Sequence, residues 1–434
     1  MTTPSRSQAR QRVPQPGLRE HLASLAWAIV LGAVSGLACV AVRLLYRLLQ
    51  WIFLQDTRLL PQAAAALSPG RRLLTPLLGA LAATAVLWAV RRWSRATPFR
   101  EYVEAVRFDH GHIPFASTLW RTLSSAFSVA TGAAIGREGS MIQCATAVTS
   151  RLGEWSRERL GTRTLPLSLQ VACGAAAAVA AAYHAPLAGI FFATEIVLGA
   201  WTLSALPSLL LASSAGWLAS GIFMGYGPVF PTKHLSFADP HLLWAVPLAL
   251  AVGLLSPAYQ GLLRSLCFTR RWPLPLAWSG LLVGALSLLR PEIWGNADVA
   301  LQHVLSGSFG LASIAALLAL RLLATAFCVG TGTVGGVFTP TVFAGAALGL
   351  LAGKLLAVPD PVLFALVGMS ALLAAVTHAP VMAALMAVEL TGQWNLLPVL
   401  LPLNLAACWI ARSRSRHSLY AIATPAPLEP VAVS

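Results

Sequence analysis

Two short stretches place glycines, a carboxylate and a proline where backbone amides can gather around an anion. One reads Gly136-Arg137-Glu138-Gly139-Ser140, the other Gly335-Gly336-Val337-Phe338-Thr339-Pro340. The glycines let successive N–H groups turn the same way and Pro340 suits the first turn of a helix, so both stretches read as loop-to-helix starts. A helix N-terminus carries about half a positive charge. Two such ends meeting at one point make an anion site without a fixed cation, which favours turnover because a lone Arg or Lys holds a dehydrated anion too tightly. Glu138 adds a titratable negative charge at that place. Ionised, it can occupy the anion position itself; protonated, it can leave and carry a proton. Simple pairing with adjacent Arg137 is the alternative role.

The elements that would position these stretches belong to a membrane protein. Of the 434 residues 57% are hydrophobic and only 10% charged, against roughly 25% charged in soluble domains. Residues 22–42 and 73–90 contain no Asp, Glu, Lys or Arg, and each can cross a hydrocarbon core of about 30 Å as a helix. The uncharged runs 164–194, 196–232, 322–353 and 361–388 exceed what one helix needs, and Pro186, Pro207, Gly225, Gly335, Gly336, Pro340 and Pro380 interrupt them. Short helices joined at membrane depth are expected, and such irregular backbone must be buried in protein or line a polar path. The first run is too long for a signal-peptide core and is expected to remain as a span.

Basic residues outnumber acidic ones 30 to 15 and gather at the ends, as Arg6, Arg10, Arg12 and Arg19, then Arg412, Arg414 and Arg416. The positive-inside rule puts both termini in the cytoplasm. These bases flank apolar spans and form no continuous stripe, which argues against nucleic acid as a partner. Cys39, Cys144, Cys173, Cys267, Cys328 and Cys408 lie in apolar stretches without ligand spacing and read as packing residues.

The chain repeats itself. Residues 121–136, RTLSSAFSVATGAAIG, match residues 321–336, RLLATAFCVGTGTVGG, at an offset of 200 (Gly336 minus Gly136). Tyr183 begins YHAPLAGIFFATEIVLG and Thr377 begins THAPVMAALMAVELTG, at an offset of 194 (Pro380 minus Pro186). Glu138 and Phe338 are therefore twins, as are Glu195 and Glu389. Membrane repeats of this kind often face opposite ways and share a site between their broken segments.

GREGS, GGVFTP, HAPLAG at His184 to Gly189 with Glu195 behind it, HAP at His378 to Pro380, and Leu419-Tyr420 occur in the order found in the ClC family of chloride channels and transporters, which the chain resembles over about residues 97–420. The resemblance implies an all-α, polytopic fold of two inverted-topology repeats with broken and re-entrant helices. It further implies a homodimer with one pathway per subunit, Glu138 as gating and proton-linked residue, and chloride as the anion. The anion-binding set is Gly136, Arg137 and Gly139 in the first break and Val337 and Phe338 in the second, with the Tyr420 hydroxyl donating from the inner side.

Two departures from the family pattern resemble the bacterial ClcB-like subgroup. In place of GSGIP stands Ala96-Thr97-Pro98-Phe99-Arg100, with Pro98 replacing the family serine, which bears on selectivity. Ile196 follows Glu195 where proton-coupled members often carry an internal glutamate, which bears on coupling.

The expected organisation is a basic cytoplasmic tail over residues 1–20, a transmembrane domain over 21–420 with halves at roughly 70–235 and 240–411, and a short cytoplasmic tail over 421–434 without CBS domains. A bacterial inner membrane is the expected location. Glu195 and Glu389 are expected to be structural, at a subunit interface or beside a proton path, and His184 and His378 to be hydrogen-bonded turn residues. A membrane-embedded hydrolase or acyltransferase using Glu138 with His184 or His378 is the rival reading; Gly307-Ser308-Phe309-Gly310 does not give GxSxG and no nucleophile motif supports it. A cation transporter is disfavoured by helix N-termini at the candidate site and few intramembrane carboxylates. Gly330 to Gly335 fits GxGxxG but lacks a βαβ context and the acidic residue downstream, and no organic cofactor or metal is implied.

Overall fold

The computed structural model of the chain describes residues 18–93, 99–160, 165–233, 235, 243–415 and 417–421. Pro98 lies outside the described residues. By its packing the first half starts earlier than the expected residue 70 and contains α1 (Leu18–Leu54), α2 (Leu60–Ala66), α3 (Pro69–Trp93), α4 (Tyr102–Phe108), α5 (Phe115–Ala130), α6 (Glu138–Leu160), α7 (Leu167–Tyr183), α8 (Pro186–Phe192) and α9 (Leu206–Met224). The second contains α10 (Ala245–Ser265), α11 (Pro275–Leu289), α12 (Asp298–Leu305), α13 (Leu311–Thr331), α14 (Phe338–Leu355), α15 (Pro361–Thr377), α16 (Pro380–Thr391) and α17 (Leu397–Arg414). Among the described residues no strand occurs, and seven helical stretches are long and apolar enough to cross a bilayer. Leu44, Leu48, Leu218 and Ile222 are among many large apolar side chains left exposed, a pattern that suits lipid contact rather than water.

The halves pack alike. α1 lies on α7 and α9 as α10 lies on α15 and α17, and α6 lies on α7 as α14 lies on α15. Lipid gives helices little hydrophobic drive to associate, so close backbone approach has to supply the contact. A Cβ on Gly32 of α1 would stand 2.2 Å from the Ala212 carbonyl oxygen of α9, and one on Gly253 of α10 would stand 2.8 Å from that of Ala407 in α17.

Each broken segment is built by the same local chemistry. At the end of α5 the Gly132 N–H donates to Val129 O and the Ala133 N–H to Ser128 O; at the end of α13 the Gly332 N–H donates to Val329 O and the Thr333 N–H to Cys328 O. This pair of bonds is a Schellman stop, which needs left-handed backbone at its glycine, and Gly132 and Gly332 have φ of 115° and 83°. The twin HAP turns obey the same logic. His184 and His378 cap α7 and α15 at φ 54° and 60°, and Pro186 and Pro380 then start α8 and α16.

The two halves also exchange caps. The Glu195 carboxylate accepts from the backbone N–H groups of Val381 and Met382 at 3.4 and 2.9 Å, at the start of α16. Glu389 accepts from Leu187 and Ala188 at 2.9 and 2.7 Å, at the start of α8. Each acid thus satisfies orphan amides of the other half. Charge-assisted bonds of this kind are roughly twice as strong as neutral ones. Glu389 is the more buried and has the shorter bonds, so Glu389→Ala is expected to destabilise by about 2–3 kcal/mol, and Glu195→Ala by less. Melting of the detergent-solubilised variants tests this; midpoints equal to that of the unmodified protein would show that the caps contribute nothing.

Candidate functional site

The two breaks meet. The Gly136 N–H donates to the Gly336 carbonyl at 2.6 Å and the Gly336 N–H donates back to Gly136 at 2.7 Å, an isolated antiparallel bridge between twin residues. A reciprocal pair of this kind requires a local two-fold relation between its partners. It brings the starts of α6 and α14 to one place, and their first N–H groups have no carbonyl partner within the helix. The Gly136 amide, expected to serve the anion, is already bonded to Gly336 and is not free to do so.

Space at the junction admits little beyond hydrogen. A Cβ on Gly139 would come within 2.9 Å of the Gly336 Cα, and one on Gly136 within 2.5 Å of Glu138 Oε2. Glu138, the first residue of α6, is 4% exposed. Its Oε1 accepts from Asn296 Nδ2 at 2.6 Å, while Oε2 is buried with no partner among the described residues. Arg137 Nε stands 3.9 Å from Oε1, and Arg137 Nη2 stands 3.9 Å from Asp298 Oδ2. The guanidinium is therefore a shared electrostatic neighbour rather than a hydrogen-bond donor to Glu138, which answers the simple Arg137–Glu138 pairing.

Glu138, Gly139, Val337, Phe338 and Tyr420 all line one cavity of about 1110 Å³. Gly136 and Arg137 are not part of that wall. The Phe338 ring lies 5.0 Å from that of Tyr183, whose hydroxyl is 3.3 Å from Thr339 Oγ1. Tyr420 packs edge-on against Phe192 at 5.8 Å, and Tyr102 lines the same cavity. Facing them is a hydroxyl-bearing wall of α5 that includes Ser117, Thr118 and Thr122. Thr118 Oγ1 is buried with no partner among the described residues.

Other expected residues fall elsewhere. Glu195 and Ile196 lie in a π-helical turn, Ala193–Leu198, that continues α8. Ile196 is buried, and its carbonyl accepts from Arg107 Nη2 at 2.6 Å. His184 Nδ1 is 2.9 Å from the Gly227 carbonyl. Neither His184 nor His378 lines the cavity that Glu138 faces, so the acid–histidine pair of the hydrolase reading is not assembled. Sequence reasoning missed Asn296, which sits in a Gly-Asn-Ala loop without a motif, and Tyr183. The one signal for Tyr183 is that YHAP and THAP differ only in their first residue.

This geometry and the sequence define the class: over residues 78–412 the chain matches the voltage gated chloride channel family, and it belongs to that family. A ClcB-like protein of Ralstonia nicotianae, named for a chloride channel, is 41% identical over 394 residues, covering 88% of this chain and 91% of its own. The voltage-gated ClC-type chloride channel ClcB of Citrobacter koseri is 37% identical over 410 residues, covering 91% and 97%. A slow cyanobacterial Cl−/H+ antiporter shares the fold with a TM-score of 0.79 at 22% identity, covering 94% of this chain and 97% of that one. A CLC-type fluoride/proton antiporter does so at 0.74 and 20% identity, covering 94% and 99%. The chain is a multi-pass membrane protein with the ClC fold.

Proposed function

We propose that the chain conducts chloride and other small anions across a bacterial inner membrane, as a homodimer with cytoplasmic termini, through the cavity beneath Glu138. The observation that carries this reading is the reciprocal Gly136–Gly336 bridge, which sets two helix starts and one buried carboxylate around the same point. Gly139, Val337 and Phe338 offer amides to the anion, Tyr420 offers its hydroxyl from the opposite end, and Glu138 is the like-charged gate. Arg137 contributes positive potential from behind the bridge. The anion is bound mainly by dipoles, so it can also leave.

Passive conduction is favoured by Ile196, an apolar residue where proton-coupled relatives often carry an acid. Proton coupling is favoured by a different observation: Glu101 and Glu104 line the same cavity as Glu138, so carboxylates are present along it without any help from residue 196. Reconstitution separates the two. Chloride-loaded liposomes are expected to release chloride faster than protein-free ones, without uphill proton movement under a chloride gradient. Proton movement in fixed ratio to chloride would establish antiport, and chloride release no faster than from empty vesicles would overturn anion transport altogether.

A further inference from the structure

The carboxylate of Glu138 is held from the opposite half of the chain. Asn296 Nδ2 donates to Oε1 at 2.6 Å, and it is the one hydrogen-bond donor to Glu138 among the described residues. An ionised carboxylate only accepts, so the amide nitrogen must face it.

Asn296 has little freedom to follow a moving partner. Its loop joins α11 to α12 and is fixed from two directions. From α13 the buried Arg321 donates through Nη1 to the carbonyls of Glu292 and Ile293 at 2.7 and 3.0 Å, and through Nη2 to that of Gly295 at 2.8 Å. From the first half the Gly132 carbonyl accepts from the Gly295 N–H at 3.2 Å. Trp294, fully buried, lies so close to Gly132 that a Cβ there would be 2.5 Å from its ring. Gly295 and Ala297, on either side of Asn296, both have positive φ, at 78° and 76°. The amide is thus presented at one place and no other.

We infer that Asn296 is the latch of the gate: a positioning residue that holds the ionised Glu138 side chain in its seat and releases it when the carboxyl takes up a proton. The inference rests on Glu138 being the gate. A charge-assisted bond to the carboxylate is stronger than the neutral bond that remains after protonation, and Oε2, without a partner, is the oxygen free to receive the proton. The other charged or titratable groups that face Glu138 are Arg43 and Tyr46 from α1, Arg137 from the break and Tyr183 from α7. Asp298 from α12 acts through Arg137. None of these replaces the bond from Asn296.

Chloride flux through full-length protein in liposomes, followed across a pH series, tests the latch. Asn296→Leu and Asn296→Ala remove the donor and are expected to move the midpoint of the pH dependence to higher pH by about one unit, tenfold in proton concentration. Asn296→Asp sets a like charge against the gate and is expected to move it further. In a Glu138→Gln background the same substitutions are expected to leave the profile unchanged. Should either donor-free variant elute and melt as the unmodified protein does and keep its midpoint, the latch is overturned; an equal shift in the Glu138→Gln background overturns it as well. Glu138→Gln alone retaining the full pH dependence would instead remove the gate, and the latch with it.

Discussion

Glu138→Ala is expected to keep chloride flux and to abolish both its pH dependence and any accompanying proton flux. The side chain is buried at the first position of α6 and lines the cavity. Burying a carboxylate at membrane depth costs roughly 2.5–3.5 kcal/mol on insertion scales, and here its Oε2 receives no hydrogen bond in return. That seat is held by the one bond from Asn296 and by the positive ends of the two helices that meet there, whose amides suit a chloride ion as well as a carboxylate. Alanine cannot compete for them. A one-proton gate changes flux by up to about tenfold per pH unit on its steep limb, and in the variant that slope is expected to vanish. Efflux from liposomes across a pH series, with proton movement followed in the same vesicles, measures both. A folded variant with no chloride flux would show that Glu138 helps to bind the anion instead of blocking its way.

Residues near in sequence, or twinned at a fixed offset, announced their part of this site; residues joined only by folding did not. The offset of 200 between the breaks pairs Gly136 with Gly336, and those two residues form the bridge. The HAP prolines were legible because each starts a helix by local chemistry, whereas Gly132 and Gly332 stood in the sequence only as matched letters of the repeat, and their role as helix stops came from the structure. Asn296 was not legible, since its partner lies 158 positions away and its own neighbourhood reads as an ordinary turn. Glu195 and Glu389 were visible as twins, but the exchange of caps follows from the two-fold relation and from no local pattern.

Twinning can also mislead. Arg121 and Arg321 match in the repeat, yet Arg321 is buried and grips three carbonyls while Arg121 stacks over Phe99 at 3.9 Å and lines the cavity. The difference lies in what each half sets against the shared residue. Arg321 meets a tight loop whose carbonyls point inward, and Arg121 meets the segment that follows Pro98. The same asymmetry separates Glu138 from Phe338: equivalent places on equivalent helices, one able to carry charge and one able only to pack against Tyr183.

That asymmetry leads to the second large expected effect, a contrast between Gly136→Ala and Gly336→Ala. Both methyl groups enter the bridge, and overpacking of this kind costs about 1–3 kcal/mol, so both variants are expected to melt below the unmodified protein. Their transport should diverge. A Cβ at Gly136 meets Glu138 Oε2 at 2.5 Å and the Gly336 carbonyl oxygen at 2.8 Å, so it drives the carboxylate from its seat. A Cβ at Gly336 meets no carboxylate; its near neighbour is the Gly139 amide nitrogen at 2.9 Å, one of the donors left for the anion. Gly136→Ala is therefore expected to flatten the pH profile as Glu138→Ala does, while Gly336→Ala lowers chloride flux and keeps the shape of its pH profile. The comparison is made within one flux assay, with amounts of folded protein matched by elution and melting. If both variants lose flux in parallel with unchanged profiles, the bridge is a structural joint alone, and the closeness of Glu138 Oε2 to Gly136 has no part in gating.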